Sequence, residues 1–330
     1  MKKVLLATTM LVGGASIAAA EVTLSGNARM GIISNFSDGN ALNGNESDVV
    51  FTSRARVVFT LSGESDSGLS FGATFRADNA GAAAAGDAGS VFISGSFGKL
   101  SMGDVDGAAQ MATGHVAGVG LTGIGDLNES TFLAAGDGAT DPTALYEYSA
   151  GDLTVYLSVT NPQTTFTPAV VGPPAVAAVF TDTQALALGA KYTFGDYTVG
   201  LGYEKLTVDS GVSAPAAVTV TDLDHVVLKL SGSVAGFDVQ GLIGQADGTR
   251  AGAVLNNAKQ YAMSVGYTTG AITGTAFYSD DSALGGTVGY GIGASYDLGG
   301  GASVVGGVAQ SKVAGPNDRT AFDLGLSFSF

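Results

Sequence analysis

From residue 21 onward the chain repeats a two-residue rhythm. Val22, Leu24, Gly26, Ala28, Met30 and Ile32 share one parity, while Thr23, Ser25, Asn27, Arg29 and Gly31 share the other. The alternation returns at 49–62, where Val49, Phe51, Ala55, Val57, Phe59 and Leu61 oppose Thr52, Arg54, Arg56, Thr60 and Ser62. Near the C-terminus Val288, Tyr290, Ile292, Ala294, Tyr296 and Leu298 oppose a small and polar set. The final run sets Phe322, Leu324, Leu326, Phe328 and Phe330 against Asp323, Gly325, Ser327 and Ser329. Successive side chains of a strand point to opposite faces, so the pattern predicts strands with one apolar and one wet face. Only 271–278 has an ambiguous parity.

The breaks between strands come in two lengths. Short ones are SGESDSG at 62–68 and tight turns around Gly98, Gly151, Gly195, Gly236, Gly270 and Gly299–Gly301. Long ones are expected at 37–48, 80–89, 107–142, 161–183, 209–221, 247–257, 280–286 and 313–318. Counting between breaks gives about 16 strands, enough to close an antiparallel barrel around water, with short turns on one rim and long loops on the other. The terminal strand bearing Phe322, Phe328 and Phe330 is expected to close the ring. The Pro-, Ala- and Val-rich segment Asn161–Thr183 reads as a long external loop.

The longest interruption, Gly103 to Pro142, far exceeds the length at which structureless loops become uncommon. It carries Asp126, Glu129, Asp137 and Asp141 among small and apolar residues, with glycines at 114, 118, 120, 123 and 125 to let it bend. The expectation is a loop folded into the barrel interior, entered from a strand at 99–106.

Composition sharpens this reading. The chain is 45% hydrophobic, with a mean hydropathy of +0.31 and only 13% charged residues, where soluble proteins average about 25%. Yet after residue 20 no apolar run approaches the roughly 20 residues of a membrane helix. A transmembrane barrel resolves the conflict by spreading lipid-facing residues along alternating strands. The start, MKKVLLATTMLVGGASIAAAEV, has a basic head, a short apolar stretch and an A-x-A site before Glu21. Residues 1–20 are thus expected to be a cleaved secretory signal peptide and 21–330 the barrel domain.

There is no cysteine and no tryptophan, so closure must come from hydrogen bonds and any interfacial girdle from Tyr and Phe. Phe97, Phe194, Tyr197, Phe237, Tyr267 and Tyr296 cluster near the short turns, as a girdle requires. Without Lys2 and Lys3, 12 basic residues stand against 29 acidic ones, a net charge of −17. That excludes nucleic acid as a partner, because no basic surface is available to release counterions. Acidic outer loops suit divalent cations such as calcium, although simple solubilising charge explains the same residues.

Enzyme chemistry finds no support. His115 and His225 are the only histidines, and no G-x-S-x-G, P-loop or H-E-x-x-H motif is present. No cofactor is expected. The constellation that stands out is arginine: Arg29, Arg54, Arg56 and Arg76 all take the polar parity of the first three strands. A charge on the lipid face would cost roughly 2–4 kcal/mol, so these belong to the lumen. Facing an acidic inserted loop, they would set up a transverse field across a water-filled gap. Pairing with a nearby acid such as Asp78 is the structural alternative. Lys191 and Lys229 also take inward parity.

The chain resembles the alphaproteobacterial general porins. The resemblance rests on EVTLSGNARMGI, SRARVVFTLSGESDSGLSFGATFRA, VFISGSFGKLSMGD, YTFGDYTVGLGYEK, GIGASYDLGGGASVVGG and the terminal Phe330. It covers nearly all of the chain after residue 20 and fades in the loops. It implies a homotrimeric 16-stranded outer-membrane barrel in a Gram-negative cell, among outer-membrane lipids and lipopolysaccharide, whose third loop narrows a pore for ions and small hydrophilic solutes. Carried over, the basic wall is Arg29, Arg54, Arg56 and Arg76. The acidic side is Asp104, Asp106, Asp126, Glu129 and Asp137. Related porins often place Arg after the glycine that ends the fifth strand, whereas this chain has Asp104. A substrate-specific channel would need a ladder of aromatic or paired polar sites, and a surface adhesin would leave the apolar parity without a reason.

Overall fold

The computed structural model describes residues 21–34, 49–78, 89–134, 143–160, 163–168, 179–213, 216–312 and 318–330. The expected signal peptide, Asp137 and Asp141 lie outside the described residues. The strands are β1 (Glu21–Ile33), β2 (Val50–Glu64), β3 (Ser70–Asp78), β4 (Gly89–Gly95), β5 (Gly98–Gly103), β6 (Thr143–Ala150) and β7 (Leu153–Thr160). They continue as β8 (Gln163–Thr167), β9 (Val179–Phe194), β10 (Tyr197–Ser213), β11 (Ala216–Val234), β12 (Phe237–Arg250) and β13 (Ala253–Thr269). The last four are β14 (Ile272–Asp280), β15 (Val288–Gly299), β16 (Ala302–Lys312) and β17 (Arg319–Ser329).

Every ladder is antiparallel, and β17 returns to pair with β1, from Asn27↔Ser329 to Ile33↔Asp323. β7 and β8 both pair with β9, through Val159↔Leu186 and Gln163↔Thr183, so they are two pieces of one stave. The described residues therefore form a closed barrel of 16 staves. Closure matters because a lipid bilayer offers no hydrogen-bond partner to an open strand edge.

Parity sorts as expected. Leu24, Leu201, Ile243 and Ile292 point outward and are 51–63% exposed, an arrangement that water would penalise and hydrocarbon rewards. The six aromatic residues of the expected girdle are all exposed beside the short turns. Phe194 packs on Tyr197 at 5.7 Å and Phe237 on Tyr267 at 4.7 Å between ring centroids.

Three expectations need correction. The supposed loops at 209–221 and 247–257 are mostly strand: β10 and β11 run to Ser213 and from Ala216, and β12 turns into β13 through Ala251–Gly252. The β-branched run Val218–Thr221 carries the β10–β11 ladder beyond the apolar band, so polarity there marked solvent and not the end of pairing. Likewise 161–183 contains β8 and the start of β9. The entry strand β5 ends at Gly103, short of the expected 106. The wall is consequently low around β4 and β5 and tall around β10 and β11.

The ambiguous stretch is β14, with Ile272, Ala276 and Tyr278 in register with outward residues and Phe277 inward. Phe277 is only 6% exposed, because the inner wall at that point is covered and dry.

The two faces predict unequal tolerance to charge. Leu201→Arg, on the lipid face, should lower folding free energy in vesicles by about 2–4 kcal/mol. Thr60→Arg, on the lumen face, should shift it by about 0.5 kcal/mol or less. Urea titration of vesicle-inserted protein measures both.

Candidate functional site: a loop seated in the lumen

The cover over Phe277 is the long segment after β5. It opens with a short helix, α1 (Ala108–Thr113), which the alternation gave no sign of. Three lumen-facing glycines make its seat. A Cβ on Gly189 would lie 2.1 Å from the Ala108 carbonyl oxygen, one on Gly200 2.3 Å from that of Ala112, and one on Gly202 2.6 Å from the Ala109 Cβ. The small face of α1 thus lies flush on β9 and β10. Ala108 and Ala109 are fully buried, with Leu145 and Tyr156 beside them.

The chain then runs along the inner wall. Val116 packs with Val227, Leu242 and Ala262, and Val119 and Ile124 with Phe277, Ala309 and Ala321. Ile124 holds φ 47, a left-handed conformation rare for a β-branched residue, and is 1% exposed. Packing against the wall keeps it there.

Six polar anchors fix the path. Ser158 Oγ accepts from the Ala108 amide at 2.8 Å, Ser264 Oγ from the Ala117 amide at 3.1 Å, and Lys229 Nζ donates to the His115 carbonyl. Asp323 Oδ2 takes both the Thr122 amide at 2.6 Å and its hydroxyl at 2.8 Å. Thr131 donates to Asp281 at 2.6 Å, and the Leu133 amide to Glu204 Oε2 at 2.6 Å. Glu204 is fully buried, as is His225, whose Nδ1 lies 3.0 Å from the same oxygen. Gln260 Nε2 closes the row 3.2 Å from His225 Nε2. Sequence reading placed Lys229 on the inward face but missed its role and the other anchors. For Glu204, His225, Lys229 and Asp323 the one visible signal was a charge or imidazole on the inward parity of a strand outside the arginine cluster; Ser158, Ser264 and Asp281 gave none.

The uncovered wall carries the arginines. All four are inward, and Arg29 and Arg54 are register partners across β1–β2. Arg54 donates to Asn27 Oδ1 at 3.0 Å. Arg56 grips Asp78 with two bonds of 2.6 Å, while the Arg76 Nε stands 3.9 Å from that carboxylate. The structural pairing therefore holds for Arg56, and Arg29 and Arg54 keep two like charges facing one another. Opposed like charges destabilise a ladder, so water or a passing solute must screen them.

Of the acidic set, Asp104 and Asp106 share a cavity of about 480 Å³ with Arg76, Lys99 and Glu147. Asp106 also accepts from Gln110 at 3.1 Å. Asp126, at φ 52, and Glu129 are exposed on a different part of the loop, joined by a Glu129 amide to Asp126 carbonyl bond of 2.9 Å. The structure thus brings Arg76, Asp104 and Asp106 together and sets Asp126 and Glu129 apart. Phe322, Phe328 and Phe330 lie on or beside β17, and the Phe330 amide donates to the Gly26 carbonyl at 3.0 Å. Among the described residues no three His or carboxylate groups converge on a point that could hold a metal ion.

A closed barrel with a polar lumen and an inward-folded loop defines a water-filled membrane channel. Comparison with known proteins specifies it further. Residues 7–315 match the family described as Gram-negative porin. A porin of Rhodobacter capsulatus is 38% identical over 330 residues, covering 94% of this chain and all of the relative. A solved porin structure superposes with a TM-score of 0.71 at 35% identity, over 94% of this chain and all of the other. An engineered Rh. blastica porin superposes at 0.63 with 23% identity over 94% of this chain and all of its own, a likeness of fold. The chain belongs to the Gram-negative porin family, and its relatives support general diffusion across the outer membrane.

Two tests follow from the anchors. Glu204→Ala orphans the buried His225 imidazole and the Leu133 amide. It should loosen the seated loop by about 1–3 kcal/mol, seen as flickering sublevels in single-channel records. His115 provides a pH test. Its Nδ1 accepts from the Ser130 amide at 2.9 Å, so the neutral ring is the one that fits. Burial, then Lys229, push its pKa below the ordinary 6.5, against a smaller opposite pull from Asp126. A lowered folded-state pKa means that the loosened loop gains a proton first. Loop stability is therefore full above about pH 6.5 and falls as the medium is acidified through and below it. Channel noise should rise on acidification, and His115→Gln should flatten that dependence.

Proposed function

We propose that the gap between the Arg29, Arg54, Arg56 and Arg76 wall and the seated loop is the selectivity filter of a general diffusion channel. Ions and small hydrophilic solutes cross it passively. The carrying observation is that a loop anchored from several strands leaves open the one stretch of wall where four arginines face inward. Asp104 and Asp106 would oppose Arg76, and a dipolar solute would turn in their field as it passed. Asp126 and Glu129 would supply further negative charge from the seated loop, and the expected contribution of Asp137 lies outside the described residues.

With a net charge of −15 over the full chain, and −17 without its two N-terminal lysines, the channel leans toward cations. The exposed apolar outer wall suits packing in a homotrimer and contact with outer-membrane lipid and lipopolysaccharide. Residues 1–20 act as a cleaved export signal, and acidic outer loops attract calcium loosely. No catalytic step is assigned to the chain.

Purified protein in a planar bilayer should conduct in steps grouped in threes, and a folded protein without steps would refute the channel. Arg54→Ala with Arg56→Ala should raise conductance and increase the cation-to-anion permeability ratio about two- to fivefold, corresponding to less than about 1 kcal/mol of screened Coulomb energy. The loss of Arg56 also frees the Asp78 carboxylate, which adds to the shift. An unchanged reversal potential in a salt gradient would remove these arginines from the filter.

A further inference from the structure

Beneath α1, near the short-turn rim, a recess of about 220 Å³ opens on the lumen between β9, β10 and β11. Lys191 and Lys229 line it, with the hydroxyl-bearing Thr198 and Ser231 and the bare backbone of Gly200. Lys191 sits 5.6 Å from the centre of the Tyr156 ring, which fixes its stem without neutralising it. Lys229 reaches up to the His115 carbonyl. Among the described residues neither ammonium has a carboxylate within 4.0 Å. The described residues that line the recess or pair with the two lysines are otherwise neutral: Tyr156 and Thr154 on β7, Leu242 across from Lys229 on β12, and Met111 to Gly114 at the end of α1. In a chain this acidic, two ammonium groups that line one recess without a counterion make a local basin of positive potential.

We propose that this recess is a binding stop for a small oxyanion of phosphate size, reached from the periplasmic mouth. It rests on the reading of the chain as a diffusion channel and adds to it a ligand class that the arginine wall does not hold. The volume admits one such ion with some of its water, at about 30 Å³ per water molecule. Two ammonium donors and two hydroxyl donors supply the charge-assisted bonds that such an ion accepts. An anion here would slow the current of its own kind and shield the cations from the two lysines.

The test uses whole trimers in a planar bilayer at constant ionic strength, with inorganic phosphate replacing chloride on one side at a time. Current should fall saturably, at lower phosphate from the short-turn side. Lys191→Gln should raise the half-blocking concentration about tenfold, as loss of one charge-assisted bond implies, and Lys191→Arg should restore it. Absence of saturation, or a half-block indifferent to Lys191→Gln, overturns the proposal. A half-block that moves with Arg54→Ala but not with Lys191→Gln also overturns it, by placing the anion on the arginine wall. Should Lys191→Gln not assemble, amine acylation of the native trimer decides. Phosphate should then slow modification of Lys191 severalfold but not that of exposed Lys312, and equal rates at both would count against the site. Failure of the channel itself is distinguishable, since it abolishes the steps in chloride alone.

Discussion

The whole molecule depends on seven register pairs between β1 and β17. Without them the sheet has two open edges, and every unpaired amide and carbonyl there would have to be desolvated in hydrocarbon at several kcal/mol each. With them the sheet has no edge, and the apolar parity can face lipid while the polar parity encloses water. No hydrophobic core of the usual kind is needed. Among the described residues the dry packing is local, most of it where the inserted loop meets the wall, with a smaller cluster of Ala246, Ala258 and Leu284 elsewhere.

That local packing narrows a wide cylinder. Gly189, Gly200 and Gly202 remove side chains where α1 approaches, and Gly31 and Gly325 do the same beneath Leu121. Fixing a loop of this length costs conformational entropy of about 1–2 kcal/mol per residue. The burial of Val116, Val119 and Ile124 and the anchors at Glu204, Asp281 and Asp323 offset it. The lumen is therefore divided between a padded half, which positions the loop, and an open half, which keeps its charges in water. The four arginines lie on the open half.

Much of this was legible from parity alone, because a wall with lipid on one side and water on the other imposes a strict period of two. Arg29, Arg54, Arg56 and Arg76 could be turned inward on that basis. Parity failed where its premise failed. Phe277 faces inward because the loop has made that wall dry, and the ladders at 209–221 continue where both faces are wet. Glycines such as Gly200 were visible at inward positions, but their partner lies about ninety residues away in sequence, and no local rule joins them. Glu204 and His225 were hidden similarly: each looked like an isolated polar residue until the loop closed over both.

The barrel wall is one residue thick, so an arginine on its inner face stands only a side chain away from hydrocarbon on its outer face. Hydrocarbon polarises far less than water, and field lines from the guanidinium groups bend away from it and crowd into the aqueous gap. The surrounding lipid thus serves as electrical insulation for the channel. The same four charges on the surface of a soluble protein would be screened from all sides.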